Sequence, residues 1–250
     1  MVVLRSESEL KLLKEAGRIS GEALALAGSM VAPGVSTGEI DEAVRRFILS
    51  CGAKPNFLGY AGYPASCCIS INNEVIHGIP SKNRIIKEGD IVSVDVGAIK
   101  NGYNGDNAAT FPAGKISEEA KKLLSVTKEC LNRAIEVAKA GNRLGDIGFA
   151  VQSYAEENGF SVVRKYVGHG IGKDMHESPD VPNYGKAGTG LRLMPGMVIA
   201  IEPMINAGSY DVNDRSRDGW LVVTEDGSLS AHFEHTVAIT KSGNIVLTRI

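Results

Sequence analysis

An internal repeat at an offset of 107 residues limits the possible fold of this sequence more than any other feature. Eight positions recur with similar residues: Gly34, Gly38, Glu39, Ile40, Ala43, Val44, Phe47 and Gly52 correspond to Gly141, Gly145, Asp146, Ile147, Ala150, Val151, Tyr154 and Gly159. The same offset carries Asp95, in one apolar segment, onto Glu202 in another. We therefore expect a single catalytic domain of two pseudo-symmetric halves, about 1–112 and 113–250, with these acids near their shared axis.

Composition and charge exclude several classes of protein. The formal net charge of −2 gives no basic field that would favour nucleic acid as a partner. No apolar run approaches the roughly 20 residues that a membrane helix needs, and the start MVVLRSESELKLL lacks the apolar region of a secretory signal. The four cysteines show no CxxC spacing, so we expect reduced thiols and a cytoplasmic protein.

Local signals predict two pairs of helices and several strands. The capping boxes at Ser6–Glu9 and Ser36–Glu39 predict helices over about 7–31 and from there to Gly52. The second half repeats this, with one helix from Ser117 to Gly141 and a shorter one that ends at Asn158–Gly159. Clusters of β-branched residues predict strands at 67–72, 91–99, 197–202, 220–224, 232–240 and 245–249. Because βαβα alternation is missing, we expect an α+β fold: a curved, mostly antiparallel sheet covered by two helix pairs.

Two acids of the first half are predicted to meet across a hairpin. The segment 91–99 alternates, and Asp95 lies on the face opposite the valines. Lys100-Asn101-Gly102 predicts a turn, after which Asp106 should face Asp95, with a bulge at Gly105 adjusting the register. Two close carboxylates in a dry site repel each other and raise each other's pKa. A divalent cation between them would remove that penalty.

The second half offers a comparable pair of acids. Glu202 ends an apolar strand before Pro203, and Glu234 lies in the predicted strand 232–240 on the same face as His232. His235 points the other way and is interpreted as a core histidine. Four carboxylates with one or two imidazoles suit two divalent cations. Structural ion pairs with Lys or Arg are the alternative, weakened because neither 91–99 nor 197–202 contains a basic residue.

Three of the five histidines occur in loops bounded by glycine or proline. His77 lies in IHGIP, His169 in GHGIG and His176 in MHE. A single loop histidine is usually a surface residue, but the set as a whole favours a functional site. No HExxH sequence is present, which excludes the common zinc-peptidase arrangement.

Six segments closely resemble those of methionine aminopeptidases of the short bacterial type: CISINNEVIHGIP, SVDVGAIKNGYNGD, VGHGIG, MHESP, IAIEPM and LSAHFEHTVAIT. The similarity extends over almost the whole chain. It implies a pseudo-twofold duplicated pita-bread fold with a dinuclear metal site. The five metal ligands that it implies are Asp95 on one ion, His169 and Glu202 on the other, and Asp106 and Glu234 on both.

The resemblance also implies the activity and the substrate site. Such an enzyme removes amino-terminal methionine hydrolytically and prefers a small second residue. A hydroxide between the two ions would attack the first peptide carbonyl, with Glu202 as proton shuttle and with His77 and His176 as catalytic residues that contact the substrate. The implied pocket for the methionine side chain consists of Tyr60, Tyr63, Cys68, Met175 and Trp220, with Phe57 at its edge. Each of these could equally be a core residue, although sulfur and aromatic groups suit a thioether.

Cofactors and partners follow from the same resemblance. The implied cofactors are two divalent ions, cobalt, manganese or iron, with zinc or nickel as further candidates, and the ligand set leaves the native metal undetermined. The implied partners are peptides and nascent chains that begin with methionine, with the ribosome surface as a further contact. The resemblance implies a monomer with neither a specific nucleic acid nor a membrane as partner.

Three departures from the family pattern bear on the range of substrates: Asn107, Met175 and the loop 208–217. Two other functions stay open. One is an Xaa-Pro aminopeptidase or dipeptidase on the same fold, although about six residues before the first helix leave no room for the large amino-terminal domain usual in those enzymes. The other is a non-catalytic peptide-binding relative, which would usually have lost metal ligands.

Overall fold

The computed structural model of the protein describes residues 2–249 and contains two pairs of α-helices in that range. The helices are α1 (Glu7–Met30), α2 (Thr37–Ser50), α3 (Glu118–Val137) and α4 (Leu144–Glu157), with a short 3₁₀ turn at Tyr60–Gly62. Both predicted capping boxes form at Ser6 and Ser36. The helix predicted to reach Gly141 ends at Val137, because the side-chain amide of Asn142 donates to the Val137 carbonyl at 2.8 Å and closes the last turn.

The strands pair only in antiparallel ladders within residues 2–249, as the fold-class prediction requires. They are β1 (Lys54–Pro55), β2 (Cys67–Ile71), β3 (Glu74–Ile76), β4 (Ile91–Lys100), β5 (Tyr103–Pro112), β6 (Ser161–Val162), β7 (Gly168–Gly170), β8 (Glu177–Val181), β9 (Val198–Ile201), β10 (Met204–Asn206), β11 (Val212–Asn213), β12 (Val222–Thr224), β13 (Ser230–His232), β14 (His235–Thr240) and β15 (Gly243–Val246). The two largest sheets are centred on β4 in the first half and on β9 and β14 in the second.

The repeat in the sequence is also a repeat in structure. Helices α2 and α4 have 14 residues each and begin at corresponding positions, and β1 and β6 follow them at the same offset. Gly34 and Gly141 both adopt a left-handed backbone, with φ of 90° and 98°, at the turn that leads into the second helix of each pair. A side chain at either position would be strained, which is why glycine recurs there. The predicted pseudo-twofold duplication is therefore confirmed.

The helices cover one face of each sheet and leave the other face for the site. The valines of β4 that the alternation placed together pack against α1 and α2 in one core, which includes Ile19, Ile40, Val44, Val92, Val94 and Val96. In the second half, Ile199 and Ile201 of β9 pack against α3 and α4 in a second core. Asp95 lies on the opposite face of β4 from the valines. The functional side chains therefore lie on the sheet faces that point away from the helices.

The register of the β4–β5 hairpin differs from the prediction. Asn101 and Gly102 both have positive φ, 52° and 79°, and form a two-residue turn that pairs Lys100 with Tyr103. Asp106 then lies opposite Gly97, and Asp95 lies opposite Ala108. The ladder runs from Lys100–Tyr103 to Ile91–Pro112 without a bulge. The two acids share a face as predicted, but they are diagonal neighbours and do not face each other directly.

A buried ion pair ties the start of the chain to the second half. Arg5 is 8% exposed, and its guanidinium forms an ion pair with Glu177 at the beginning of β8. Replacing Arg5 with Met leaves the Glu177 carboxylate without its partner, and we expect the free energy of unfolding to fall by about 3–5 kcal/mol. Denaturant titration measures this change.

The matched control is Arg18→Met, which removes an exposed partner of Glu22 on α1. We expect that substitution to cost less than about 1 kcal/mol. Equal small losses in both variants would show that the Arg5 pair contributes no more to stability than a surface pair.

Candidate metal centre and substrate cavity

The five side chains predicted as metal ligands come from both halves and converge between the sheets. Asp95 projects from β4 and Asp106 from β5, while Glu202 directly follows β9. His169 is the middle residue of β7, and Glu234 lies between β13 and β14. The predicted continuous strand 232–240 is thus wrong: it is interrupted at Phe233–Glu234, where the Glu234 amide donates to the Ala108 carbonyl at 2.8 Å.

The glycines around His169 allow neighbouring strands to approach it closely. A Cβ atom at Gly168 would lie 2.3 Å from the Ala200 carbonyl oxygen of β9. A Cβ atom at Gly170 would lie 2.4 Å from the Ser178 carbonyl oxygen of β8. Only glycine fits at both positions, so the GHG sequence lets β7 pass between its neighbours and hold the imidazole against the acids.

The donor atoms of these side chains are close together. One ligand atom each from Asp106, His169 and Glu234 lie within 4.8 Å of one another. The Oε1 atom of Glu202 is 3.7 Å from His169 Nε2. Asp95 and Asp106 are diagonal neighbours on one face of the β4–β5 hairpin, and both line the same cavity as the other three side chains. The structure therefore brings together all five residues that the sequence predicted as ligands.

The acids carry an electrostatic penalty that the protein relieves only in part. Burial raises the pKa of Asp95 to about 7, His232 opposes this rise, and the charge of Glu202 adds to it. Burial and the neighbouring carboxylates hold the pKa of Asp106 and of Glu234 well above the usual range. Within residues 2–249, no Lys or Arg forms an ion pair with any of these carboxylates, which removes the alternative of ordinary structural ion pairs.

These features fit a divalent cation. Buried oxygen atoms of Asp95, Asp106 and Glu234 have no hydrogen-bond partner among the described residues. Clustered carboxylate oxygens with an imidazole nitrogen are a donor set that first-row divalent ions accept. Asp106, His169 and Glu234 therefore form a possible metal site.

A cavity of about 190 Å³ opens above the carboxylates. All eight residues predicted to contact substrate line it: Phe57, Tyr60, Tyr63, Cys68, His77, Met175, His176 and Trp220. The sequence did not predict three further lining residues, Ile76, Tyr166 and Val167.

One side of the cavity is apolar and borders the carboxylates directly. Cys68 of β2 pairs with Asp95 of β4, so an apolar and an ionic side chain lie next to each other in the ladder. Tyr63 and Met175 are buried beside Cys68, and Trp220 packs edge-on to Tyr63 with ring centroids 5.0 Å apart. Burial raises the pKa of the Cys68 thiol well above its usual value, so the sulfur packs as a neutral group.

The two non-ligand histidines lie at the polar side of the cavity. The Tyr60 hydroxyl is 2.7 Å from His176 Nδ1, and the His176 ring lies 4.3 Å from the His169 ring. Burial and the neighbouring His169 lower the pKa of His176 to about 4. His77 has a strained backbone with φ of 63°, and burial lowers its pKa as well. Both rings are therefore neutral near pH 7.

Of the two remaining histidines, one belongs to the site and was missed. His232 is 2% exposed, and its Nε2 atom lies 3.5 Å from Glu202 Oε2. The sequence placed it on the face of Glu234, but spacing alone gave no reason to connect it with Glu202. His235 behaves as predicted: its Nδ1 atom lies 2.8 Å from the Thr248 hydroxyl oxygen, away from the cavity.

The three departures from the family pattern have different positions. Asn107 is buried against Ser20 of α1 on the helix-covered face and does not line the cavity. Met175 forms part of the apolar wall. The loop 208–217 contacts the cavity wall through Asp214. The Asp214 carboxylate accepts a hydrogen bond from the Tyr166 hydroxyl at 3.1 Å, and Tyr166 lines the cavity.

Comparisons with known proteins agree on one family. The profile of Metallopeptidase family M24 matches residues 11–241. Methionine aminopeptidase of Clostridium acetobutylicum is 54% identical over 99% of this chain and 99% of its own, and methionine aminopeptidase 1 of Bacillus subtilis is 50% identical over 100% of both.

Solved structures agree with these relatives. The crystal structure of methionine aminopeptidase from Rickettsia prowazekii superimposes with a TM-score of 0.98 at 44% identity and covers 100% of both chains. The prolidase from Pyrococcus furiosus gives a TM-score of 0.80 at 25% identity, covering 99% of this chain but 66% of its own.

Proposed function

Because the chain belongs to metallopeptidase family M24 and to its methionine aminopeptidases, we propose that it hydrolyses the peptide bond after an amino-terminal methionine. The observation that carries this proposal is one cavity of about 190 Å³ with an apolar, sulfur-containing wall and a floor of carboxylates. The wall suits a methionine side chain, and the floor suits a free amine and divalent cations. The substrates are peptides and nascent proteins with a small second residue.

We propose that two divalent cations bind at the floor. Asp95 would hold one, His169 and Glu202 the other, and Asp106 and Glu234 both. Four carboxylates carry the charge that balances two such ions, which supports this stoichiometry. Bound cations supply Lewis-acid polarisation of a carbonyl and lower the pKa of water toward neutrality. Cobalt, manganese and iron are the proposed activating metals, with zinc and nickel as further candidates.

Glu202 moves the proton. The residue follows β9, and its carboxylate lies between two imidazoles. Its Oε1 atom is 3.7 Å from His169 Nε2, and its Oε2 atom is 3.5 Å from His232 Nε2. A carboxylate oxygen of Glu202 accepts a proton from the attacking water and then delivers it to the amine nitrogen that leaves. Such a positioned acid–base group typically contributes about 10²–10⁴-fold to a rate.

His77 and His176 orient the peptide. With its Nδ1 atom against the Tyr60 hydroxyl, His176 presents Nε2 to the cavity, where it can donate to the oxygen of the scissile carbonyl. His77 lines the same cavity and accepts a hydrogen bond from the peptide N–H of the second residue of the substrate. The limited volume leaves little space beside these rings, so a bulky second residue clashes.

Cleavage of matched peptides tests the proposed function. We expect release of methionine from Met-Ala-Ser, little release from Met-Leu-Ser, and none from acetylated Met-Ala-Ser or Ala-Ala-Ser. Liquid chromatography of the products measures each rate. Cleavage of Ala-Pro in preference to Met-Ala-Ser would instead establish the Xaa-Pro alternative. Binding of Met-Ala-Ser without cleavage at saturating metal would establish the non-catalytic alternative.

We further propose that the chain acts as a single domain and as a monomer in the cytoplasm. Hydrogen bonds between the predicted halves support one domain: the Thr236 hydroxyl donates to the Asp106 carbonyl at 2.7 Å. None of the helices in residues 2–249 has the length and apolar character to cross a membrane. The boundary near residue 112 and contact with the ribosome surface stay predictions.

A further inference from the structure

We propose that His232 is a positioning residue for Glu202, holding one carboxylate oxygen through a hydrogen bond from its Nε2 atom. This inference rests on the proposed function, in which Glu202 is both a metal ligand and the proton carrier. None of the five ligands and neither catalytic histidine performs this role.

The backbone of His232 is fixed in place. It is the last residue of β13 and pairs with Met204 of β10, two residues after Glu202. The His232 amide donates to the Thr110 hydroxyl oxygen, and that hydroxyl donates to the His232 carbonyl, both at 2.9 Å. Because the residue is 2% exposed, its ring has no route to solvent.

Glu202 is the carboxylate within reach of the His232 Nε2 atom. That nitrogen is buried and has no hydrogen-bond partner among residues 2–249. Glu202 Oε2 lies 3.5 Å away, slightly beyond a normal hydrogen bond, so a small rotation of the carboxylate completes the contact. Buried polar groups are almost always paired, which makes this oxygen the acceptor for the nitrogen.

His232 acts through Glu202 and does not contact the substrate. It is absent from the lining of the cavity, whereas Glu202 is part of it. Glu202 Oε1 faces His169 and Oε2 faces His232, so the two oxygens have separate environments. Holding one oxygen fixes the rotation of the carboxylate, and partners of this kind typically contribute about 10–100-fold to metal affinity or activity.

Three variants test the role of His232. His232→Leu keeps the bulk of the side chain but removes the donor, while His232→Gln keeps an N–H donor of similar reach. His235→Leu is the control, since that ring lies away from the cavity against Thr248. Calorimetry measures Mn²⁺ binding to the metal-stripped proteins, and peptide release from Met-Ala-Ser measures kcat and KM.

We expect His232→Leu to lower Mn²⁺ affinity and kcat by about 10–100-fold each with little change in KM. His232→Gln should restore most of both, and His235→Leu should match the wild type. If the leucine variant does not fold, His232→Asn replaces it: its amide is too short to reach Glu202, so the same losses are expected. Wild-type Mn²⁺ affinity and kcat in a folded Leu or Asn variant would overturn the proposal.

A double-mutant cycle separates positioning of Glu202 from a general structural role. In a Glu202→Gln background, His232→Leu should cause no further loss of Mn²⁺ affinity, because the carboxylate that it orients is gone. Additive losses would overturn the proposal. Failure of the proposed function would give a different result: wild-type protein would bind Mn²⁺ without releasing methionine. In that case the Mn²⁺ affinities of the His232 variants and the wild type would still test the role of His232.

Discussion

Replacing Glu202 with Gln should lower kcat for Met-Ala-Ser by about 10²–10⁴-fold, because an amide of the same shape cannot carry the proton from water to the leaving amine. Glu202 directly follows β9, whose four residues are all buried, so the position of its backbone does not depend on the charge of its side chain. We expect the thermal unfolding midpoint of the variant to be no lower than that of the wild type. Initial rates of methionine release at saturating metal measure the effect.

The control for this substitution is Glu225→Gln, which makes the same chemical change at an exposed position outside the cavity. Its kcat should equal that of the wild type. A Glu202→Gln variant that is folded, saturated with metal and as active as this control would remove Glu202 from the proton pathway.

Replacing Asp106 with Asn should change metal affinity and metal-free stability in opposite directions. Asp106 is buried beside Asp95, Glu202 and Glu234, and burial and these negative charges raise its pKa. Removing one charge removes a proposed ligand of both ions, so Mn²⁺ affinity should fall by more than the roughly 10–100-fold typical of outer partners. The same change relieves repulsion in the metal-free protein, whose unfolding free energy should therefore rise.

Calorimetry with Mn²⁺ and thermal unfolding in excess chelator measure the two effects of Asp106→Asn. The backbone contacts of the residue with Thr236 are unaffected by the substitution, which favours retention of the fold. A metal-free variant less stable than metal-free wild type, with unchanged Mn²⁺ affinity, would contradict two claims: that repulsion among these carboxylates destabilises the metal-free protein, and that Asp106 is a metal ligand.

Local patterns in the sequence predicted which face of a strand each acid occupies. The alternation of 91–99 placed the valines together and Asp95 opposite them, as the structure has it. The repeat predicted paired elements, and α2 and α4 agree in length and position. Such features can be predicted because they depend on neighbouring residues, on the two-residue alternation of a strand and on the 107-residue repeat. All of these are visible in the sequence itself.

Strand register and long-range pairing were harder to predict in this way. The turn at Asn101 and Gly102 was predicted, but the bulge expected at Gly105 does not form, and the continuous ladder places Asp95 and Asp106 diagonally. The interruption at Phe233–Glu234 depends on contacts with Pro203 and Ala108, which are distant in sequence. For the same reason the proximity of His232 to Glu202 became visible only in the structure.

The resemblance to methionine aminopeptidases supplied what spacing could not. Asp106, His169 and Glu234 are separated by many residues, yet their ligand atoms lie within 4.8 Å of one another. No periodicity in the sequence indicates that His169 of β7 approaches Asp106 of β5. The family motifs predicted all five residues as ligands, and the structure places all five in the lining of one cavity.

Methionine release from Met-Ala-Ser by metal-stripped protein, titrated with Mn²⁺ or Co²⁺, tests most directly whether the carboxylate cluster is a catalytic metal centre. We expect no release in excess chelator and a return of activity as ions are added, with binding that saturates at two ions per chain. Full activity in protein shown to contain no divalent metal would contradict the assignment of these acids as metal ligands.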